Sequence, residues 1–327
     1  MCKNFVCGFK WINYEDIKYN QKMTKIMNST YTIKLLTLLC AAPAISFAQE
    51  TWQLGSSVTA VTGHYVNSQT MYNQRGLGVR MLGEKDQNWG FTVGLQSTQI
   101  DMTPITQKST QNQDNWLLSG FVHMLPTNLP GRWTLQVDAY RVNNDASQSA
   151  SSDVIAVAPK ITWFSYYQPL KADFSYASSN YKNTAAIHQF SSAIAYGFND
   201  AKDWLQIRSY AINNLDPTAL GQSSTRAADL KFTHSLNRNV KWAPAAITLG
   251  LERGKRIYEV DMVSQTIYNL PMLNEGGENI TASWNLSRKT NLNMQVSKTR
   301  YFSDVPTALS AHHFTLIILS AQLTTAW

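Results

Sequence analysis

Ionisable side chains of both signs recur in short alternating segments of the sequence, with a spacing that places them on one face of a β-strand. Asp229 and Lys231 show this spacing in AADLKFTHSL, and Glu252 and Arg256 follow in ITLGLERGKRIYEV. Charges inside a closed sheet need ion-pair partners or water. We therefore predict that the following residues line a lumen, either as a hydrated pore or as a paired network: Arg80, Asp138, Asp173, Arg208, Asp229, Lys231, Glu252 and Arg256.

Hydrolytic chemistry would need a serine nucleophile or paired carboxylates together with a histidine. His234 and Ser235 are the right residue types, but neighbours on a strand face opposite sides of the sheet. No lipase or protease motif accompanies them, and no third ligand at metal-site spacing accompanies the His312-His313 pair. We therefore expect no catalytic residue, no metal site and no cofactor.

The same pattern repeats throughout residues 49–327: segments of roughly ten residues that alternate between apolar and polar are separated by polar breaks. The segments number about 14, at about 20 residues per strand with its connection, which is typical of membrane barrels. Long and short breaks alternate, so successive strands would have short turns at one end and long loops at the other. No stretch in this range approaches the ~20 consecutive apolar residues of a spanning helix. The sequence predicts an all-β, antiparallel, up-and-down transmembrane barrel.

Tryptophan recurs directly after the short breaks, at the start of alternate strands. An aromatic girdle at a membrane interface has this arrangement. We predict that five residues form it: Trp52, Trp89, Trp133, Trp204 and Trp327.

The N-terminal region reads as an export signal. Lys34 precedes the apolar run LLTLLCAAPAI, and Ser46-Phe47-Ala48 is a small-x-small cleavage sequence. We predict cleavage after Ala48, with Met27 as the true start of translation. Residues 1–48 would then be an N-terminal extension plus signal peptide, and residues 49–327 the barrel.

Cleavage there removes all three cysteines, so the exported chain has no disulfide and no thiolate metal site. It also removes six Lys and two acidic residues, so the net charge falls from +7 to +3. No basic cluster with interleaved aromatics remains, and we therefore expect no nucleic-acid partner.

The closing segment LIILSAQLTTAW resembles the last strand of Gram-negative outer-membrane β-barrel proteins, which ends on Phe or Trp after alternating apolar residues. Thr325 departs from that pattern, because an aromatic or larger apolar residue is common there. The resemblance implies an outer-membrane location and recognition of the last strand by the barrel assembly machinery. Outer-membrane lipid and lipopolysaccharide would be further partners. DFSYASSNY and DWLQIRSYAI are loosely similar to YaiO-like barrels.

Several alternatives remain open from the sequence. A secreted two-sheet sandwich or β-solenoid would share the alternation, but it would need a mixed charged surface. For a barrel, the first function is a porin-like channel for small hydrophilic solutes. A non-conducting structural or polysaccharide-export-associated barrel is the alternative, and an outer-membrane hydrolase is a further one.

Overall fold

The computed structural model describes residues 52–102, 110–128, 130–145, 153–181, 186–213, 215, 223–236, 243–268, 272–303 and 312–327. The predicted N-terminal extension and signal peptide, residues 1–48, lie outside the described residues. None of the described residues forms a helix with the length and apolarity needed to span a bilayer.

The described chain is built from antiparallel strands. Fourteen of them form a closed barrel, and β12 and β13 form a separate two-stranded hairpin. The strands are β1 Trp52–Val66, β2 Met71–Lys85, β3 Trp89–Met102, β4 Thr110–Met124, β5 Arg132–Asn144, β6 Val154–Phe164, β7 Leu170–Asn180, β8 Ile187–Phe198, β9 Asp203–Asn213, β10 Ser224–Ser235, β11 Ala246–Arg256, β12 Val260–Asp261, β13 Thr266–Ile267, β14 Leu273–Asn285, β15 Thr290–Ser303 and β16 His312–Ala326.

The barrel closes where the first strand meets the last. β1 pairs with β16 from Gly55 opposite Ala326 to Val66 opposite Thr315. The N–H of Trp327 donates a hydrogen bond of 2.8 Å to the Leu54 carbonyl and extends this ladder by one step. The prediction of an all-β, up-and-down barrel of about 14 strands is therefore confirmed.

The two faces of each strand differ as the alternation predicts. In β8, burial alternates from Gln189 to Phe198, with every second side chain buried inside the barrel. The outward side chains are apolar and exposed, as at Val137 (51%), Ile207 (51%) and Ile280 (47%). A wide apolar outer surface on a closed sheet is the arrangement that lipid contact requires.

Several strands are longer than the apolar pattern indicates. The segment DMTPITQKSTQNQD reads as one long break, but β3 continues to Met102 and β4 already begins at Thr110. Polar residues pair as well as apolar ones once neighbouring strands fix the register. The sheet therefore extends past the apolar band at this end of the barrel.

The segment ITLGLERGKRIYEV does not form the single strand that its pattern predicts. β11 ends at Arg256, and the register with β14 shifts between Arg253 and Arg256. Gly254 has φ +107° and Gly276, on the facing strand, has φ +106°. Such backbone angles favour glycine and mark a β-bulge, which re-aims the chain. The segment after this bulge folds into the barrel interior.

Candidate functional site

The hairpin of β12 and β13 occupies the barrel interior and is bound by side chains from the wall. Val260 pairs with Ile267 across the hairpin. Gln189 on β8 holds the backbone of Val260 with both ends of its amide. Its Nε2 donates to the Val260 carbonyl at 2.8 Å, and its Oε1 accepts from the Val260 N–H at 3.0 Å.

Two cations from other strands bind carbonyls of the same hairpin. Lys160 on β6 donates from Nζ to the Met262 carbonyl at 3.4 Å. Arg80 on β2 donates from Nη2 to the Ser264 carbonyl and, at 3.4 Å, to that of Gln265. The hairpin is thus tied to β2 and, on another part of the wall, to β6 and β8.

One side of the hairpin is apolar and packs on an apolar part of the wall. Ile257, Val260, Met262 and Ile267 are each at most 4% exposed. They belong to one cluster with inward side chains of β5, β6, β8 and β9, including Val142, Val154, Ala156, Ile187 and Ile212. Burial of these side chains stabilises the hairpin inside the lumen, since each contributes about 1.5–3 kcal/mol when it leaves water.

A buried charge cluster fixes the base of the hairpin. Arg256 pairs with Glu252, and with Glu259 at 2.6 Å between Nη1 and Oε1. Its Nη1 lies 3.8 Å from Asp229 Oδ1, and its guanidinium stacks 4.8 Å above the Tyr210 ring. Tyr210 also donates its hydroxyl hydrogen to Asp229 at 2.7 Å. One guanidinium therefore lies within ion-pair distance of three carboxyl groups.

Glu259 belongs to the connecting segment and not to a barrel strand. It is 3% exposed, and burial raises its pKa to about 8, although Arg256 opposes this shift. With three carboxylates around one cation, the full ionisation of all three is electrostatically unfavourable. A carboxyl that holds its proton near neutral pH relieves that excess.

All eight charged residues predicted for the lumen occupy inward-facing positions. Beyond the Arg256 cluster, Arg208 pairs with Asp173 at 2.7 Å. Asp138 is fully buried and accepts hydrogen bonds from Gln136 and Tyr140. Lys231 lines a small cavity of about 80 Å³ with Asp261 and the carboxylates around Arg256. The structure thus brings these charges into pairs and networks on the side of the hairpin.

A larger cavity of about 420 Å³ lies between the hairpin and the wall formed by β1–β5 and β14–β16. Among the described residues that line it, the charged ones are Arg80, Arg256 and Glu259, and each has a partner described above. The wall itself contributes mainly amides and hydroxyls, which include Gln74, Gln96, Gln113, Asn115, Gln295 and Gln322. The interior is therefore divided into a side that the hairpin fills and an open side whose wall carries mainly uncharged polar groups.

Three of the predicted girdle residues lie on the outward face near the end where β1 begins. Trp52 packs edge-on against Trp89 with 5.1 Å between ring centroids. Trp133 contacts Trp163 on the neighbouring strand at 6.3 Å. Trp163 was not predicted, because it falls at the end of a strand and not after a short break.

Trp204 is placed differently from the other four. It pairs with Gly197, which shares the inward face with Gln189, and it contacts Phe164 at 6.3 Å. The girdle prediction used only the position of tryptophan at the start of a strand. The alternation of side chains along β9 places Trp204 on the lumen face. Trp327 lies opposite Leu54 in the ladder, and Leu54 is on the outward face.

The histidine and serine considered for hydrolysis do not share a face. His234 is on the outward face and forms a hydrogen bond of 2.5 Å with Asp203. Ser235 is the next residue on β10 and faces the other side. The hydrolase alternative would need both groups on the same side of the sheet.

Gln189, Lys160 and Glu259 contact or form the hairpin, but the sequence analysis did not single them out. Gln189 looks like any polar residue of an alternating strand. A signal for the hairpin does exist: Ile257, Val260, Met262 and Ile267 are too apolar for a solvent-exposed loop between barrel strands.

Comparisons with known proteins identify the fold. No protein-family model matches the sequence, and no curated protein sequence matches it. Among solved structures, the chain is similar to the Pseudomonas putida toluene transporter TodX, with 9% identity and a TM-score of 0.51 over 86% of this chain and 91% of that one. It is also similar to the CymD monoaromatic hydrocarbon channel, with 9% identity and a TM-score of 0.53 over 86% and 89% of the two chains. The likeness shows that the chain shares the barrel fold of outer-membrane channels.

Proposed function

We propose that this protein is an outer-membrane channel for small hydrophilic solutes, narrowed by the hairpin of residues 257–268. The observation that carries the proposal is the open cavity of about 420 Å³ beside a hairpin held across the lumen. A 14-strand barrel is wide enough to hold water unless loops or side chains fill it. Here the hairpin fills one side, and amides and hydroxyls lie among apolar side chains on the wall of the open side.

The chemistry of the open side supports hydrophilic solutes. The structural neighbours are named for toluene and monoaromatic hydrocarbons, which are apolar. The wall of this cavity carries amides such as Gln96 and Gln295, which hydrogen-bond to water and polar solutes. An apolar solute would displace water from these groups without replacing the hydrogen bonds.

The first experiment is single-channel conductance of residues 49–327 refolded into a planar bilayer. We expect steady conductance with weak ion selectivity, because the lumen carries charges of both signs and several of them are ion-paired. A variant in which residues 258–267 are replaced by a short Gly/Ser linker should conduct more, since the hairpin narrows the lumen. Equal conductance of the two forms would contradict the proposed role of the hairpin.

A non-conducting structural or export-associated barrel is the second candidate, and a specific observation favours it. The charges around Arg256 and Arg208 form closed networks, and the hairpin contributes to an apolar core inside the barrel. Such an interior stabilises a barrel even if no solute passes. Silent bilayers with correctly folded protein, together with conductance in the linker variant, would support this candidate over the first.

The location and partners belong to the same proposal. The export signal, cleavage after Ala48, contact with lipopolysaccharide and recognition of the last strand by the barrel assembly machinery all follow from an outer-membrane channel. Membrane fractionation and N-terminal sequencing of the mature protein test the first two. A YaiO-like subfamily remains a hypothesis that rests on DFSYASSNY and DWLQIRSYAI.

A further inference from the structure

The open side of the lumen has the composition of a ligand site. Nine amide side chains line the 420 Å³ cavity, among them Gln74, Gln96, Gln113, Asn115, Gln295 and Gln322, and hydroxyls of serine and threonine lie between them. The volume falls within the range of small-molecule sites, about 300–1,000 Å³. Polar groups that converge on a cavity of this size fix the orientation of a ligand as well as hydrating a pore.

Amides and hydroxyls match one kind of ligand chemistry. Each primary amide presents both a donor and an acceptor, and so does each hydroxyl. A sugar hydroxyl is likewise a donor and an acceptor at once, so it can satisfy either end of Gln96 or Gln295. A carboxylate or an ammonium ion would bind better to a counter-charge.

The charged groups that line the cavity already have partners. Arg80 donates to the carbonyls of Ser264 and Gln265, and Arg256 is paired with Glu259. Other lumen charges lie away from this cavity, since Lys231 lines the smaller cavity of about 80 Å³ and Arg208 pairs with Asp173. A charged ligand in the larger cavity would lose water and would have to compete with these contacts for a counter-charge.

Aromatic rings complete the lining. Tyr140 and Tyr301 come from the wall and Tyr258 and Tyr268 from the hairpin segment. Tyrosine combines an apolar ring with a polar hydroxyl, so it can cover the C–H face of a sugar ring and bind its hydroxyls.

We propose that this cavity is a binding site for a neutral saccharide of two or three units, through which the channel would select its solute. The inference rests on the proposed channel function, because the solute reaches the cavity along the lumen. Gln96 on β3 and Gln295 on β15 are the residues that most directly test it. Three strands lie between them in the sheet, so they contact a ligand from different parts of the wall.

The test is titration of maltotriose into a bilayer that holds single channels of residues 49–327. A saturable fall in current is expected, beyond the fall caused by lower conductivity of the bulk solution. Gln96→Leu and Gln295→Leu should each raise the apparent dissociation constant about five- to tenfold, the effect of one or two lost hydrogen bonds. Gln206→Leu is the matched control, since Gln206 faces inward on β9 but does not line the described cavity.

Equilibrium dialysis of maltotriose against the barrel in a zwitterionic, sugar-free detergent gives an independent readout. Conductance without saturable block, together with no binding in dialysis, overturns the saccharide site and leaves the channel in place. Binding in dialysis without conductance overturns the channel and leaves the site. Stronger binding of glucose 6-phosphate than of maltotriose would also overturn the proposal, because it would show a site for anions.

Discussion

Arg256 is the residue at which the barrel wall and the hairpin are joined. Its guanidinium is 5% exposed, contacts the carboxyl groups of Glu252 and Glu259 and stacks on Tyr210. A buried ion pair of this kind adds little net free energy over an apolar replacement of the whole set. Removal of one partner is different, because the other charges then remain buried without compensation.

Arg256→Met should therefore release the hairpin from the wall. Loss of the cation leaves the carboxylates of the cluster unpaired, and we expect docking to weaken by about 3–5 kcal/mol. Chymotrypsin cleavage at Tyr258 or Tyr268 measures the release, since a docked hairpin protects these sites. Arg141→Met, on the outward face of β5, is the control and should leave the cleavage rate unchanged.

Docking should also depend on pH through Glu259. Its pKa is about 8 in the docked hairpin, against an ordinary value of 4.5. When the pH lies between these two values, Glu259 therefore takes up a proton as the hairpin docks. The docked state is most favoured at acid pH and becomes less favoured as the pH rises toward 8. Arg256 lowers the pKa of this carboxyl and Asp261, Glu252 and Asp229 raise it, so these neighbours set the pH range of the change.

The measurement is the rate of chymotrypsin cleavage from about pH 5.5 to about pH 8.5, a range that covers most of the expected change in docking. Cleavage of the native hairpin should speed up with pH by more than the enzyme's own activity on a free peptide. Glu259→Gln should abolish the extra dependence, because the amide does not titrate. An unchanged pH profile in this variant would assign the effect to another group.

At the scale of elements, glycines on β2 and β3 keep the open side of the lumen wide. Gly78 and Gly94 line the cavity, and a Cβ at position 78 would make only ordinary contacts, 3.5 Å from Cβ and Cγ of Gln96. A side chain at this position can therefore enter the cavity without moving the backbone.

Gly78→Leu should narrow the passage and lower single-channel conductance by roughly half, since it adds four carbons to a cavity in the small-molecule range. Gly120→Leu is the matched control. Its Cβ would meet nothing within 4 Å, and it lies on the outward face of β4. Equal losses in the two variants would mean that Gly78 does not border the conducting path.

The elements differ in how far the sequence predicts them. Strand number, antiparallel order and the inward positions of Arg80, Asp138 and Arg208 follow from the period of two, which is a local property. The end of β11 does not follow, because the apolar residues of RIYEV fit the continuation of a strand as well as a segment that leaves the wall and packs inside. What decides it is tertiary: the bulge at Gly254 and Gly276, and a wall that offers Gln189 as a partner.

The face of Trp204 is a different case, because the sequence does contain it. Trp204 and Arg208 are four residues apart on β9, so a regular strand places both on the same face. Since Arg208 is predicted to face the lumen, the alternation predicts the same for Trp204. The girdle prediction missed this because it used only the position of tryptophan at the start of a strand.

At the scale of the whole molecule, the exposed apolar surface predicts how the barrel responds to charge. Val137 lies at the centre of β5 and points outward, with 51% of its surface exposed. In a bilayer, Val137→Arg should lower the free energy of unfolding by about 2–4 kcal/mol, the cost of a cation near the midplane. Urea unfolding from lipid vesicles gives this value.

Ser297→Arg is the control for that experiment. Ser297 lines the cavity, where an added guanidinium remains in contact with water. It should change ion selectivity with less than about 1 kcal/mol effect on unfolding. A similar loss in the free energy of unfolding for both variants would mean that the outward face does not contact lipid.

The ladder between β1 and β16 has a consequence for the order in which the chain can fold. Every other barrel pair joins barrel strands that follow each other along the chain, but this one joins Gly55 to Ala326. Pairing over so long a separation in sequence is slow, so the seam closes last. Until then the edges of both strands are open to wrong partners, including other copies of the chain. The pairing of β1 with β16 therefore removes both open edges, and with them a route to aggregation during folding.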